Sequence, residues 1–155
     1  MKFIIQGEPI AQQRHRTFRR GCKSINYDPL TKEKQLFREE LYRQVGHPFN
    51  LSYSPEERKE VLYLPYKDFY HVSLMFVFPV PKSSTKAQKK AKLAGLVHTQ
   101  VPDLDNLEKF VLDILSGVLF SDDKKVVKLE SWKIWGENAR TEIEIVGFNH
   151  EVTDG

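Results

Sequence analysis

The sequence predicts a single mixed α/β (α+β) domain, in which helices pack on a β-sheet. A length of 155 residues is enough for one hydrophobic core, and hydrophobic residues make up 40% of the chain and aromatic residues 12%. Runs typical of strands and of amphipathic helices follow in the order β, α, β, α, α, β, β, which favours a mixed sheet covered by helices. Neither a repeat nor a linker divides the chain, so one domain is expected across residues 1–155.

The first third of the chain is predicted to form a strand, a basic loop and a helix. Residues 2–7, KFIIQG, are rich in β-branched and aromatic residues and end at a glycine, which indicates a strand. Residues 8–27 have no clear period and are interpreted as a loop. Residues 27–46 suit a helix capped by Asp28 or Thr31. Its expected apolar stripe consists of Leu36, Phe37, Leu41 and Val45.

The later elements follow from apolar runs and their spacing. Residues 54–60 are compatible with a short helix, whereas the continuous apolar run at 69–81 favours a central strand covered on both faces. A lysine-rich helix is expected at 83–95. Apolar residues three and four apart predict another helix from about Asp103 to Gly117. The final strands are 125–135 and 140–148, joined by the turn GENA.

Composition excludes several classes of protein. The single cysteine, Cys22, rules out an internal disulfide and a cysteine-ligated zinc site. No segment approaches the roughly 20 apolar residues of a membrane helix. The N-terminal apolar run is also too short for a signal peptide. We therefore expect a cytoplasmic protein with no membrane partner.

Positive charge is concentrated in two stretches, although the net charge is only +3. Residues 9–27 and 69–102 contain no acid. The ten cations of these stretches are Arg14, Arg16, Arg19, Arg20, Lys23, Lys82, Lys86, Lys89, Lys90 and Lys92. This segregation favours a polyanionic partner and a separate acidic site, with two solvated basic loops as the alternative.

The separate acidic site is predicted within residues 101–127, VPDLDNLEKFVLDILSGVLFSDDKKVV. Its candidate residues are Asp103, Asp105, Lys109, Asp113, Asp122 and Asp123. Because Pro102 cannot continue a helix backwards, Asp103 stands where an extended segment meets a helix, and Asp105 falls in the first turn. The second acidic pair is expected to begin a strand that runs beside this helix.

Two ordinary explanations compete with a functional one. Asp103 can be a helix N-cap, a position where negative charge is favoured by roughly 0.3–1 kcal/mol. Asp105, Lys109 and Asp113 are four residues apart on one helix face. They can therefore form a surface ion-pair ladder of about 0.3–0.5 kcal/mol per pair.

Gathered carboxylates have a chemical use as well. Carboxylates brought together repel one another unless a cation joins them, and oxygen ligands select Mg²⁺ or Mn²⁺. Such a cation polarises phosphoryl oxygens and lowers the pKa of a water molecule, while a nearby lysine stabilises developing charge. The combination predicts phosphodiester hydrolysis, although D-x-D alone is a weak motif.

The order of these residues resembles the RusA-type Holliday junction resolvases, including their phage relatives. The matching positions are Pro102, Asp103, Asp105, Asn106, Lys109, Asp113, Leu115, Gly117, Asp122, Asp123 and Val126. The segment IIQGEPIAQQRHR near the start and the residues YDPLT are also similar to the family pattern. The resemblance covers most of the chain.

The resemblance implies a RusA-like fold, a homodimer and Mg²⁺-dependent cutting of four-way and other branched DNA in recombination and repair, with Mn²⁺ as a substitute. It assigns the metal-binding carboxylates to Asp103, Asp105 and Asp123 and the active-site lysine to Lys109. Asp113 corresponds to a position next to the lysine rather than to a metal ligand.

Other residues complete or depart from this pattern. The expected contacts to DNA phosphates are Arg14, Arg16, Lys89, Lys90 and Lys92. Neighbours on an extended segment point to opposite faces, so only one of Asp122 and Asp123 is expected to face the site, and the resemblance favours Asp123. Val101 stands where many relatives carry a basic residue, and residues 47–67 have no counterpart. Three aromatic residues, Phe18, Tyr27 and Phe69, are expected in the core or at a dimer contact rather than as wedges at a branch point.

Two other functions stay open on the sequence alone. D-x-D also holds a metal against a nucleotide-sugar diphosphate in glycosyltransferases, but 155 residues leave little room for an acceptor site. A branched-DNA-binding module that has lost activity would keep the fold. The sequence speaks against it, because all four residues of the expected active site are present: Asp103, Asp105, Asp123 and Lys109.

Overall fold

The computed structural model describes residues 1–45 and 67–150. Within these ranges the chain forms six strands, three α-helices and one short 3-10 turn. None of the helices in the described ranges is both long and apolar enough to cross a membrane. The predicted helix at 54–60 lies outside the described residues.

The elements alternate along the chain much as expected. The strands are β1 (Lys2–Gln6), β2 (Arg16–Arg20), β3 (Lys23–Tyr27), β4 (Phe69–Pro79), β5 (Val126–Gly136) and β6 (Arg140–Phe148). The helices are α1 (Thr31–Val45), α2 (Lys86–Leu93) and α3 (Leu104–Leu115), and the 3-10 turn is Asp123–Lys125. The predicted mixed α+β fold is confirmed.

The main sheet is mixed, with the strand order β1-β6-β4-β5. β4 pairs antiparallel with β6 and parallel with β5, so it is the central strand that the sequence predicted. A parallel pair needs a long crossover connection, and α2 and α3 supply it. The crossover carries α3 across the sheet and brings its first turn beside β5.

The prediction that β4 is covered on both faces was wrong. Burial alternates along its first half, with Tyr70, Val72 and Leu74 buried and His71 and Ser73 only half-buried. The reason is that the buried side chains of the helices and strands form one core cluster, which covers one face of the sheet.

The two long helices are fixed by apolar contacts. In α1, Phe37 and Leu41 are buried as expected, but Leu36 is 55% exposed and does not belong to the apolar stripe. In α3, the buried residues are Leu107, Phe110, Val111, Ile114 and Leu115. The rings of Phe37 and Phe110 meet edge to face at 5.7 Å, which fastens the two helices together.

The basic stretch at residues 8–27, predicted as a loop, contains a β-hairpin. β2 and β3 pair antiparallel from Arg16 opposite Tyr27 to Arg20 opposite Lys23. Gly21 opens the two-residue turn with φ of 61°, which residues other than glycine rarely adopt. The hairpin escaped sequence analysis because it rests on no core, and its apolar residues therefore lack the polar-apolar alternation of a half-buried strand.

Candidate active site

The backbone that leads to Asp103 is held along β5. The amide of His98 donates to the Lys133 carbonyl at 2.9 Å. The Lys133 ammonium then donates to the carbonyl oxygens of Gln100 and Pro102 at 2.7 and 2.6 Å. These bonds fix the chain up to the residue immediately before Asp103. Sequence analysis did not single out Lys133.

His98 packs the same segment against the sheet. Its ring lies 4.2 Å from the rings of both Phe78 and Trp135, and it is only 6% exposed. Burial, followed by the nearby charge of Lys133, lowers the pKa of His98 below its ordinary value. The neutral imidazole of His98 therefore packs against these two rings and holds the extended segment before α3 in place.

Asp103 occupies the N-cap position of α3, but it does not act as a cap. Its backbone is extended, with φ of −68° and ψ of 145°, as a cap requires. Its side chain nevertheless forms no capping hydrogen bond and is exposed. The capping explanation therefore does not account for this carboxylate.

The ion-pair ladder on α3 is not formed either. Asp105 and Lys109 are both exposed, and within the described part of the chain neither makes an ion pair. Asp113 instead pairs with Lys34 of α1 at 3.2 Å. Two aspartates and a lysine at the start of α3 are thus left facing solvent, which is the arrangement a binding site needs.

The second acidic pair divides into two different roles. Asp122 caps the 3-10 turn, because its side chain accepts from the Lys124 amide at 3.0 Å and pairs with the Lys124 ammonium at 3.0 Å. The hydrogen bond from the Lys124 backbone amide, followed by that from the Lys124 side chain, lowers the pKa of Asp122 below its usual value. Asp123 is exposed and begins the turn. The strand predicted after this loop, at 125–135, is confirmed as β5, and the two acids lie in the turn just before it.

The three candidate metal ligands lie on neighbouring elements, since the 3-10 turn contacts α3. Within residues 1–45 and 67–150, however, no three His, Cys, Asp or Glu side chains lie close enough together to hold a metal ion. Asp103 lies near Lys133, whereas Asp123 precedes Val126 at the other end of β5. Val126 and Lys133 are seven residues apart along the strand, a length of about 23 Å. Carboxylate oxygens suit a hard cation by their chemistry, and Asp103, Asp105 and Asp123 as ligands of one cation stay a prediction.

A buried lysine of α1 connects α3 to its neighbouring elements through ion pairs. Lys34 is only 9% exposed, and its ammonium lies 2.8 Å from Asp28 and 3.2 Å from Asp113. The partner of Asp113 is therefore Lys34 rather than Lys109. Nothing in the sequence signals this role, because the residues that bury Lys34 come from distant parts of the chain.

Replacing Lys34 with Met is expected to destabilise the fold on the order of 3 kcal/mol at neutral pH. This is the lower end for breaking a buried pair, since Asp113 is half exposed. The Lys34 hydrogen bond, its largest cause, holds the pKa of Asp28 below its ordinary value. A lowered pKa gives stability that is present above the unfolded-state pKa and lost as pH falls through the folded one.

The measurement is the melting temperature of wild type and Lys34→Met from pH 7 down into the acid range where Asp28 titrates. The difference in melting temperature between wild type and Lys34→Met should be about 6–12 °C at pH 7 and should become smaller as the pH falls. Lys32→Met, which removes an exposed lysine from the same helix, is the matched control. A gap that is as large at the lowest pH as at pH 7 would contradict the role of the Asp28 carboxylate.

The first basic stretch is anchored beside the start of α3. The Gln12 amide donates to the carbonyl of Asn106 at 2.8 Å, in the first turn of α3. Arg14 and Arg16 follow directly and are exposed. The structure therefore brings these two predicted phosphate contacts close to the helix that carries Asp105 and Lys109.

The second basic stretch lies on α2. A capping box formed by Thr85 and Gln88 begins this helix, which contacts β5. Lys89 and Lys90 are exposed, whereas the ammonium of Lys92 lies 4.2 Å above the Trp135 ring. Lys92 thus has a cation–π partner in the fold, and Lys89 and Lys90 present their charges outward.

Comparison with known proteins agrees with this arrangement. The family model described as "Endodeoxyribonuclease RusA" matches residues 6–146. A relative, the uncharacterized protein YqaN of Bacillus subtilis (strain 168), is 31% identical over 150 residues, which cover 94% of each chain. The matched range includes the N-terminal basic stretch, α3 and the 3-10 turn, and it confirms the resemblance seen in the sequence.

Proposed function

The chain belongs to the RusA family of endodeoxyribonucleases, and from this premise we propose that it is a Mg²⁺-dependent nuclease that resolves Holliday junctions. Mn²⁺ is the expected substitute for Mg²⁺. The substrate is four-way and other branched DNA, cut during recombination and repair. The enzyme acts as a homodimer in the cytoplasm, where its DNA substrate is present.

One observation carries the proposal: Asp103, Asp105 and Lys109 are exposed together at the start of α3, and among residues 1–45 and 67–150 neither a cap nor an ion pair uses them. The backbone before Asp103 is meanwhile fixed by two bonds from Lys133. These charged side chains therefore stand on a fixed backbone and are accessible to an ionic substrate.

We assign the metal ligands to Asp103, Asp105 and Asp123, whose carboxylate oxygens suit a hard cation. A divalent cation at this position supplies charge that polarises a phosphoryl oxygen and makes a water molecule more acidic. The protein holds Asp103 at the end of a fixed segment and Asp105 in the first turn of α3. The backbone positions of both carboxylates are thereby set before the substrate arrives.

Lys109 is assigned to the scissile phosphate. It lies one helical turn beyond Asp105 on the same face of α3, so its ammonium is available to the same ligand. A cation without an internal partner stabilises negative charge that develops on phosphate oxygens during hydrolysis.

A homodimer fits both the substrate and the separation of the carboxylates. A four-way junction offers symmetric strands, and a two-fold dimer places two sites to cut them in pairs. Within one chain, Asp103 and Asp123 lie toward different ends of β5. A second subunit therefore also offers a way to complete the site.

The test is a nuclease assay with a four-way junction and a linear duplex of the same sequences, each with Mg²⁺ and with a chelator. We expect paired cuts near the branch point with Mg²⁺ and none with the chelator, and no cutting of the duplex. Binding without cutting would favour the inactive module. Neither binding nor cutting would favour a function outside DNA, such as the glycosyltransferase alternative.

The proposed phosphate contacts are Arg14, Arg16, Lys89, Lys90 and Lys92. Each phosphate contact releases counterions, so log K falls with log salt by about 0.9 per contact. The double variant Lys89→Ala/Lys90→Ala is expected to flatten this slope by up to about 3.6 in a dimer. Binding to junction and to linear DNA should weaken alike, since the preference for branched DNA is expected to come from the geometry of the dimer rather than from single charges.

The slope is measured from binding titrations at several salt concentrations. The matched control is Lys2→Ala/Lys128→Ala, which removes two lysines that already pair with Glu144 and Glu130 on the main sheet. The control should leave the slope near that of wild type. An unchanged slope in the Lys89/Lys90 variant would show that α2 is only a solvated helix.

A further inference from the structure

We propose that one face of the β2–β3 hairpin binds unstacked bases at the branch point of the DNA. This inference rests on the proposed function and deepens it, because it names the feature of branched DNA that this hairpin recognises. Phe18 and Tyr27 are predicted in the core or at a dimer contact, and the structure places both outside the core.

The hairpin extends from the fold with no core of its own. All ten residues of β2 and β3 are exposed, including both faces of the ribbon. Three large apolar side chains are among them: Phe18 is 47% exposed, Ile25 38% and Tyr27 43%. A two-stranded ribbon is marginal by itself in water, so apolar side chains displayed on it indicate a partner that covers them.

The strand register sorts these residues onto one face. Side chains alternate along each strand, so residues of even number in β2 share a face with their odd-numbered partners in β3. This stacking face consists of Arg16, Phe18, Arg20, Lys23, Ile25 and Tyr27. The opposite, polar face consists of Thr17, Arg19, Ser24 and Asn26.

The stacking face has an apolar middle with cations at its ends. Phe18 lies directly opposite Ile25, and its ring meets the Tyr27 ring edge to face at 5.9 Å. At the tip, Arg20 stands directly opposite Lys23. Like charges in directly opposed positions destabilise a ribbon unless an anion lies between them.

This chemistry fits nucleic acid with accessible bases. Aromatic side chains stack with any base, while flanking cations hold the phosphates on either side. No acid occurs between residues 9 and 27, so the face is complementary to a polyanion. A second copy of the same hairpin is a poor occupant, because it would bring Arg20 and Lys23 against further cations.

The hairpin is rooted beside the candidate active site. On its entering side, Gln12 is bonded to Asn106 in the first turn of α3. On its leaving side, Asp28 lies 2.8 Å from Lys34, which also holds Asp113 of α3 at 3.2 Å. His15 lies 4.0 Å from Asp28 and closes the base of the ribbon.

The attachment of the hairpin beside α3 gives a reason why branch points would be cut and linear duplexes would not. Bases in a linear duplex are stacked and paired, whereas a branch point exposes base faces. A hairpin anchored to α3 on both sides presents Phe18 and Tyr27 at a fixed position relative to Asp105 and Lys109. Capture of an unstacked base would therefore set which phosphate reaches the site.

The first experiment measures the dissociation constants of the junction and of a matched linear duplex with Ca²⁺ in place of Mg²⁺. We expect Phe18→Ala to weaken junction binding by about 5- to 150-fold, the range for one lost base stack, and to leave duplex binding nearly unchanged. Thr17→Ala, on the polar face of the same strand, is the matched control. Equal losses for both DNAs, or no loss, would overturn the inference.

A second pair of variants compares charges on the two faces. Arg20→Ala removes a cation from the stacking face and Arg19→Ala removes one from the polar face, at adjacent positions. We expect the larger loss of junction affinity from Arg20→Ala. Equal losses would mean that the hairpin acts only as a diffuse positive charge.

The third experiment uses the unaltered protein, so it does not depend on the folding of a variant. Iododeoxyuridine is placed at the branch point or ten base pairs into an arm, irradiated in the complex, and the linked peptide is identified by mass spectrometry. Linkage of the branch-point label to Phe18 or Tyr27 supports the inference. Linkage of the branch-point label to residues outside the hairpin overturns it.

These outcomes are distinguishable from failure of the proposed function. If the junction is cut normally but Phe18→Ala changes nothing, the stacking role of the hairpin is wrong and the nuclease assignment stands. If the wild type binds junctions without cutting them, the nuclease assignment is wrong and the binding data still decide the role of the hairpin.

Discussion

Asp103→Asn and Asp105→Asn are each expected to reduce junction cleavage on the order of 10³-fold or more. Asn keeps the size of the side chain but removes the negative charge that holds a divalent cation, and several kcal/mol of charge stabilisation at the phosphate depends on that cation. Neither carboxylate has a cap or ion pair in the described fold, so the variants should fold normally. Binding to junction DNA should be equal or tighter, because a charge that faces phosphate is lost.

The measurements are the single-turnover cleavage rate with saturating Mg²⁺ and the dissociation constant of the junction. Glu137→Gln makes the same acid-to-amide change in the exposed turn between β5 and β6 and should cut at the wild-type rate. Cleavage within a few fold of wild type in both Asp variants would remove the acidic site from the mechanism.

Lys109→Ala is expected to reduce the chemical step by about 10²–10³-fold, the usual cost of removing one group that stabilises charge in the transition state. Its ammonium makes no ion pair in the described structure, so the change should cost little stability. The affinity for the divalent cation should change little, since a lysine is not a ligand. A slower chemical step with an unchanged affinity for the cation would distinguish the role of Lys109 from those of Asp103 and Asp105.

The assay compares the cleavage rate as a function of Mg²⁺ concentration for wild type, Lys109→Ala and Lys109→Arg. Arginine keeps the charge and should restore part of the rate. Lys32→Ala, an exposed lysine on α1, is the control. A wild-type rate for Lys109→Ala would reassign this lysine to the solvated surface of α3.

Most of the main sheet and its helices could be predicted because their residues contact one core. The spacing of Leu107, Val111, Ile114 and Leu115 identified α3 almost to the residue, since its buried face repeats with the helical period. The apolar run at 69–81 located β4 as the central strand. The prediction that both faces of β4 are covered was wrong, because an apolar run does not reveal that the second face carries half-buried residues such as His71 and Ser73.

The β2–β3 hairpin was missed for a related reason. Strand prediction depends on one face being buried, and neither face of this ribbon is. The signals that are present are the turn glycine Gly21 and the placement of Arg16, Phe18 and Arg20 at every second position, which puts them on one face of the ribbon. That pattern is recognisable once a partner other than the core is allowed to cover the apolar positions.

In the candidate site, the sequence identified the exposed charges but not the residues that hold them. Asp103, Asp105 and Lys109 stand out because an ordinary role predicts a partner for each. Lys34 and Lys133 cannot be found in this way, since their functions depend on Asp28, Asp113, Gln100 and Pro102, which are distant in sequence or bonded through the backbone. Only the fold brings these partners together.

The most direct test of the central claim is the binding of Mn²⁺ to the junction complex, measured by electron paramagnetic resonance at increasing Mn²⁺ concentration. Wild type should bind Mn²⁺ at saturable sites. Asp103→Asn, Asp105→Asn and Asp123→Asn should each weaken this binding at least about tenfold, and Glu137→Gln should not. If all three variants bound Mn²⁺ as the wild type does, these carboxylates would not be the metal ligands and the proposed catalytic centre would lie elsewhere.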